Sequence, residues 1–215
     1  GDWSQIFLFN VSGIVHDVSM SVPLNAMKII YSNGLLFEDI EITGVQRGLY
    51  ADHCERINVK NVTISDSATG MEFERSHMNI TGCVMDGNTI GIHSTEHEDV
   101  RFEHGEYEYP IIRDSVFSNN EVGLEITNSY NSFIVTENEF RGNQIGIMDL
   151  AGSSVTMNYF LENTGPAIFL QSNSHIVKNH FEDNNPGGVC QVVDNRSFYH
   201  SWMKEDAWFD PGVRI

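Results

Sequence analysis

The sequence predicts an all-β fold, a parallel β-helix of about eight coils with 21–23 residues per coil and a C-terminal cap. Three observations carry the prediction. One phrase recurs as VFSNNEVGLEITNS (116–129), EFRGNQIGIMDLAG (139–152) and FLENTGPAIFLQSN (160–173), and FEDNNPGGV opens another copy at Phe181. Small residues at Gly123, Gly146, Ala167 and Gly188 give spacings of 23, 21 and 21, a period that marks a stacked repeat and not a globular sheet. Each unit holds short alternating strands and no helix-period pattern, so a single unit cannot bury its own apolar side. Coiling stacks each unit on the last, with parallel strands about 4.8 Å apart, and lines equivalent residues up in columns.

Counted back from Gly188, coils start at Gln5, Ala26, Gly48, Gly70, Gly91, Gly123, Gly146 and Ala167. Nine residues before the starts stand Asp17, Asp39, Asn61, Gly82, Asp114, Glu137, Asn158 and Asn179, side chains that satisfy backbone groups at a turn or bond along a ladder. A second column, Asn88, Asn120, Asn143, Asn163 and Asn184, marks another sharp turn, where the left-handed conformation tolerated by Asn is expected. Leu49, Met71, Ile92, Leu124, Ile147 and Ile168 should point inward and their successors outward. A second inward strand carries Ile57, Val59, Ile80, Val100, Val135, Val155 and Ile176.

Two segments break the repeat. The coil from Gly91 to Gly123 holds about ten extra residues, placed at 102–111 (FEHGEYEYPI), and insertions in a solenoid map to loops that often bind. The solenoid is therefore expected over 1–190. Residues 191–215, which include Trp202 and Trp208, should cap its open end or meet another domain or subunit, with a short helix at Ser201–Trp208.

The phrases NNEVGLEITNS (119–129), ENEFRGNQIGIM (137–148) and KNHFEDNNPGG (178–188) resemble right-handed parallel β-helix repeats of the carbohydrate-binding and sugar-hydrolase type, and also those of the NosD copper-maturation family. The resemblance covers most of residues 26–190. It implies a right-handed solenoid among lyases, hydrolases, epimerases, metal-handling proteins, tailspikes and surface proteins. The chain has neither the paired Asp motif of polygalacturonases nor the DPH motif of alginate epimerases.

With 12 Lys and Arg against 30 Asp and Glu, the 215-residue chain carries a net charge of −18. That balance argues against nucleic acid, which needs clustered cations, and against polyuronates unless a cation bridges the like charges. No stretch has the ~20 apolar residues of a membrane-spanning helix. The chain opens GDWSQ without an initiating Met or signal peptide, as expected of a mature or excised segment. Sequons at Asn10, Asn61, Asn79 and Asn195 agree with an extracellular, periplasmic or cell-surface location. Cys54, Cys83 and Cys190 form no disulfide or metal spacing and read as packing residues.

The outward column two residues after each start reads Phe7, Lys28, Tyr50, Glu72, His93, Glu125, Met148, Phe169 and Cys190, and two residues further on stand Asp52, Glu74, Thr95, Thr127 and Gln171. Glu72 and Glu125, two coils apart at about 9.6 Å, fit the acid–base pair of an inverting glycosidase with His93 between them. Tyr50, Asp52, Glu74 and Phe169 would bind the sugar. An enzyme of this kind would be a glycoside hydrolase or polysaccharide lyase. His53, His77 and His97, joined by His104 from the segment HSTEHEDVRFEHGEYEY (93–109), form a candidate transition-metal set, and Ca²⁺ is the other candidate cofactor. The competing reading is a structural surface-layer, sheath or spacer protein whose acids are only solvated. The leading expectation is an extracytoplasmic module that binds, and on the enzymatic reading cleaves, polysaccharide.

Overall fold

The computed structural model describes residues 4–21, 24–97, 109–129, 133–149, 153–170, 174–184, 190–192 and 208–209. The alternating pattern of each repeat produces strands, and all pair in parallel with the equivalent strand of the next coil. The described strands make about seven turns, slightly fewer than the eight expected. The described residues contain no helix.

Among the described residues the first sheet stacks nine strands, beginning Ser4–Phe9, Asn25–Ile30, Arg47–Asp52, Thr69–Glu74, Ile90–His97 and Val122–Ser129. The second has fourteen among the described residues. Its early strands, such as Leu35–Thr43 and Ile57–Ser65, run through a bend at Asp39 and Asn61, where φ is 54° and 50°. Later coils divide at the same bend, as in Met78–Thr81 and Val84–Asp86 around Gly82.

The interior is built from columns. Met27, Leu49, Met71, Ile92, Leu124, Ile147 and Ile168 are fully buried or nearly so. Phe117, Phe140, Phe160 and Phe181 stack face to face, with centroids 4.6, 5.0 and 5.0 Å apart. The small-residue column has a steric cause. A Cβ on Gly91 would collide with the carbonyl oxygen of Gly123, and one on Gly146 with that of Ala167.

Three expectations are corrected. Asn88, Asn120, Asn143, Asn163 and Asn184 are not the left-handed residues. The positive φ falls one position earlier, at Gly87, Asn119, Gly142, Glu162 and Asp183, and the asparagines turn inward as a buried ladder. The backbone N–H groups of Asn88, Asn120, Asn143 and Asn163 each donate to the next Asn Oδ1, as Asn120 does to Asn143 at 3.0 Å, and each Nδ2 of the ladder donates to a core carbonyl. Asn158 and Asn179 do bond along a ladder, as expected of their column, with Asn138 as its neighbour, and the left-handed residues stand one place earlier at Met157 and Lys178. Val100 lies outside the described residues, and the inward position between Ile80 and Val135 belongs to Ile112. The extra residues of that coil therefore end before Ile111, which opens a strand with Arg113.

At the far end Trp208–Phe209 pairs in parallel with His180 and Phe181. Trp208 is thus extended; the remainder of the expected capping helix lies outside the described residues.

Candidate functional site

The outer face of the first sheet carries the predicted row. Phe7, Lys28, Tyr50, Glu72, His93, Glu125, Met148 and Phe169 are successive register partners. The row continues to Gln191 and not to Cys190, because the last step is one residue longer than counted. A second outward row aligns Asp52, Glu74, Thr95 and Thr127; Gln171 lies outside the described residues.

Where these strands end, the chain turns through a left-handed residue in four successive coils: Asn10, Tyr31, His53 and Arg75, with φ between 46° and 51°. The turn is held by backbone bonds along the stack, including Tyr31 N–H to Asp52 O at 3.0 Å and His53 N–H to Glu74 O at 3.2 Å. That conformation costs a residue with a Cβ roughly 1–2 kcal/mol, which the stacked coils offset. It places three large side chains beside the second outward row. Tyr31 is 55% exposed. Its ring stacks on His53 at 4.8 Å, and Phe9 meets it edge-on at 6.0 Å.

A polar network adjoins this aromatic group. Tyr50 Oη donates to Glu74 Oε2 at 2.8 Å. Arg75 Nη2 reaches Asp52 Oδ1 at 2.9 Å and Glu74 Oε1 at 2.6 Å. His53 Nδ1 lies 2.7 Å from Asp52 Oδ1 and 3.3 Å from Arg75 Nε. Of these contacts the hydrogen bond is the one Arg75 Nε donates to His53 Nδ1, while Asp52 Oδ1 lies within ion-pair distance of the same nitrogen. Burial first, then the Glu74 hydrogen bond and the charges of Asp52, Glu74 and Glu72, push the Tyr50 phenol well above its usual range. Tyr50 therefore stays a neutral donor. Arg47 lies over its ring at 4.8 Å and Lys28 at 5.6 Å.

Glu72, His93 and Glu125 occupy consecutive positions of the first row. Glu72 Oε2 is 3.4 Å from Arg47 Nη1. His93 Nε2 is 3.7 Å from Glu125 Oε2, outside hydrogen-bond range. Phe169 is half-buried farther along the row.

The histidines proposed as metal ligands are not brought together where they are described. His53 joins the surface network, whereas His77 is 1% exposed inside the wall. The His97 side chain and His104 lie outside the described residues. Among the described residues no three His, Cys, Asp or Glu side chains are placed to hold an ion. Tyr31, Arg47 and Arg75 were missed from the sequence. For Tyr31 and Arg75 the signal was faint: bulky residues in a column, Asn10–Tyr31–His53–Arg75, whose backbone favours Asn or Gly.

The sequence profile described as "Periplasmic copper-binding protein (NosD)" matches residues 12–105 and 103–200. No curated protein matches in sequence. Among solved structures, DFA-IIIase from Arthrobacter chlorophenolicus A6 without its lid is similar at 12% identity and a TM-score of 0.25. That alignment covers 87% of this chain and 61% of the other, and a likeness of this degree carries no argument. No helix among the described residues is long and apolar enough to cross a membrane.

Proposed function

The chain belongs to the NosD family, and from that premise we propose that it is an extracytoplasmic β-helix module that binds a neutral or cation-bridged polysaccharide on the outer face of its first sheet. One observation carries the reading. The exposed Tyr31 ring, backed by His53 and flanked by Phe9, lies next to a network of Tyr50, Asp52, Glu74 and Arg75. An aromatic plane beside fixed polar groups complements a sugar, which has apolar C–H faces and a rim of hydroxyls. The carboxylates would accept from hydroxyls and Arg75 would donate to them. Phe169 would extend the face, and residues 191–215 would cap the solenoid formed by 1–190 or meet a neighbour.

A glycan array and an oligosaccharide-cleavage panel test this, run with and without Ca²⁺ on wild type, Tyr31→Ala and Glu72→Gln/Glu125→Gln. Binding lost in Tyr31→Ala supports the module. Cleavage lost in the double variant would add the acid–base pair with His93. No binding by wild type under any condition would sink the reading for the glycans tested.

The family's description favours copper as a second reading, but the described donors do not make a copper centre. His53 Nδ1 is engaged by Arg75, and among the described residues no three His, Cys, Asp or Glu side chains are placed to hold an ion. Burial pushes the Cys83 thiol up to about 11 and raises that of Cys54, opposite to what a thiolate ligand requires. A copper titration with His53, His77, His97 and His104 each changed to Ala tests the four histidines; unchanged stoichiometry in all four would remove them as ligands.

A further inference from the structure

We propose that the bend of the second sheet is a separate binding groove for a linear, carboxylate-bearing glycan. The groove has two lobes, of about 370 and 450 Å³, which share Glu137. The first is lined by Lys60, Asn79, Thr81, Arg113 and Thr136, and the second by Met157, Tyr159, Lys178 and His180. Lys60, Thr81, Arg113, Thr136, Thr156 and Val177 are successive register partners, so the groove follows the stacking direction. Five steps span about 24 Å. A trough of that shape suits an extended chain.

Its chemistry selects the chain. The net charge is −18, yet Lys60, Arg113 and Lys178 line this groove against a single lining acid, Glu137. No ion pair of Lys60 or Lys178 occurs among the described residues. Arg113 Nε lies 3.8 Å from Asp114 Oδ2 and donates to Thr81 Oγ1 at 3.4 Å, both weak contacts. Unpaired ammonium groups call for an anion. The floor calls for a donor: Asn79 Oδ1 is buried and has no hydrogen-bond partner among the described residues. The Thr81 and Thr136 hydroxyls can donate or accept. In the second lobe Tyr159 is 54% exposed beside His180, with centroids 5.8 Å apart, and offers a stacking surface. A glycan containing uronic acids supplies carboxylates, hydroxyl donors and apolar ring faces together. The local cation line thus reverses, for this groove, the exclusion of polyuronates drawn from overall charge.

Lysine acylation footprinting of the intact wild-type chain tests the inference. The probes are an oligogalacturonate long enough to span the groove and a neutral oligogalactose of equal length. The acidic probe is expected to slow acylation of Lys60 and Lys178 several-fold and leave Lys28, on the first sheet, unchanged. Lys60→Gln/Arg113→Gln should weaken binding about tenfold, as loss of two charge-assisted contacts would, whereas Tyr31→Ala should not weaken it. Equal protection of Lys28, equal protection by the neutral probe, or none at millimolar probe would overturn the proposal. The wild-type footprint decides even if the double variant does not fold.

Discussion

Replacing Asn143 with Ala should be among the most destabilising single changes in this chain. Asn143 is fully buried. Its Oδ1 accepts from the Asn120 backbone N–H at 3.0 Å and from Asn120 Nδ2 at 2.9 Å. Its Nδ2 donates to Phe117 O at 2.8 Å and to Asn163 Oδ1 at 3.1 Å. In Asn143→Ala, Asn120 Nδ2 keeps Met85 O, and Asn163 Oδ1 keeps the Asn143 backbone N–H. The Asn120 N–H loses its acceptor and the Phe117 carbonyl loses a donor. At about 1–3 kcal/mol for each of these two buried groups left wanting, the cost is roughly 2–6 kcal/mol. The molecule contains its own control, because Ser67 Oγ accepts from Val45 N–H at 3.3 Å and Ser115 Oγ from Cys83 N–H at 3.1 Å. Asn143→Ser therefore keeps an acceptor and should cost about half as much. Urea unfolding followed by far-UV circular dichroism measures both, with the slope checked because stacked repeats can lose cooperativity. Hydrogen exchange of the Asn120 amide gives a local readout. An Ala variant within about 0.5 kcal/mol of wild type, the range of ordinary surface changes, would refute the ladder argument.

Other consequences follow from the same geometry. Gly91→Ala forces a Cβ against the Gly123 carbonyl and should destabilise by about 1–3 kcal/mol in the same urea assay. Tyr50 should not ionise near pH 10 in an ultraviolet titration, and Glu74→Gln, which removes a charge and changes its partner, should bring its pKa down. Because the folded-state pKa of Tyr50 lies above the unfolded one, its contribution to stability is complete below pH 10 and is lost as pH rises beyond it. Cys54 and Cys83 are buried with raised thiol pKa values, so a thiol reagent should label them only on unfolding; rapid native labelling would contradict their placement.

The first sheet was legible because its marker is steric. Only small residues fit where the column approaches the next coil, and that column kept its register from Ala26 to Ala167. It failed at Gly188, since Ile168 pairs with Cys190. The polar columns misled because one residue type serves two roles. Asn and Asp take left-handed turns and also form buried ladders, and adjacent positions such as Asn119 and Asn120 do one each. Spacing separates the two only when loops keep their length, and the second ladder steps by 20 from Asn138 to Asn158 where 21 was assumed. Within the site, Tyr50, Asp52 and Glu74 were found because they alternate along a strand. Tyr31 and Arg75 were not, because their place depends on a turn conformation that their types disfavour. The cations of the second sheet are scattered in sequence, and only stacking brings Lys60, Arg113 and Lys178 into one groove.

The most direct test of the glycan-binding account is a crystal structure of the chain with an oligosaccharide identified from the array. The account predicts sugar density stacked on the Tyr31 ring, with hydroxyls within hydrogen-bond reach of Asp52, Glu74 or Arg75. Density elsewhere, with this face bare at saturating ligand, would contradict it.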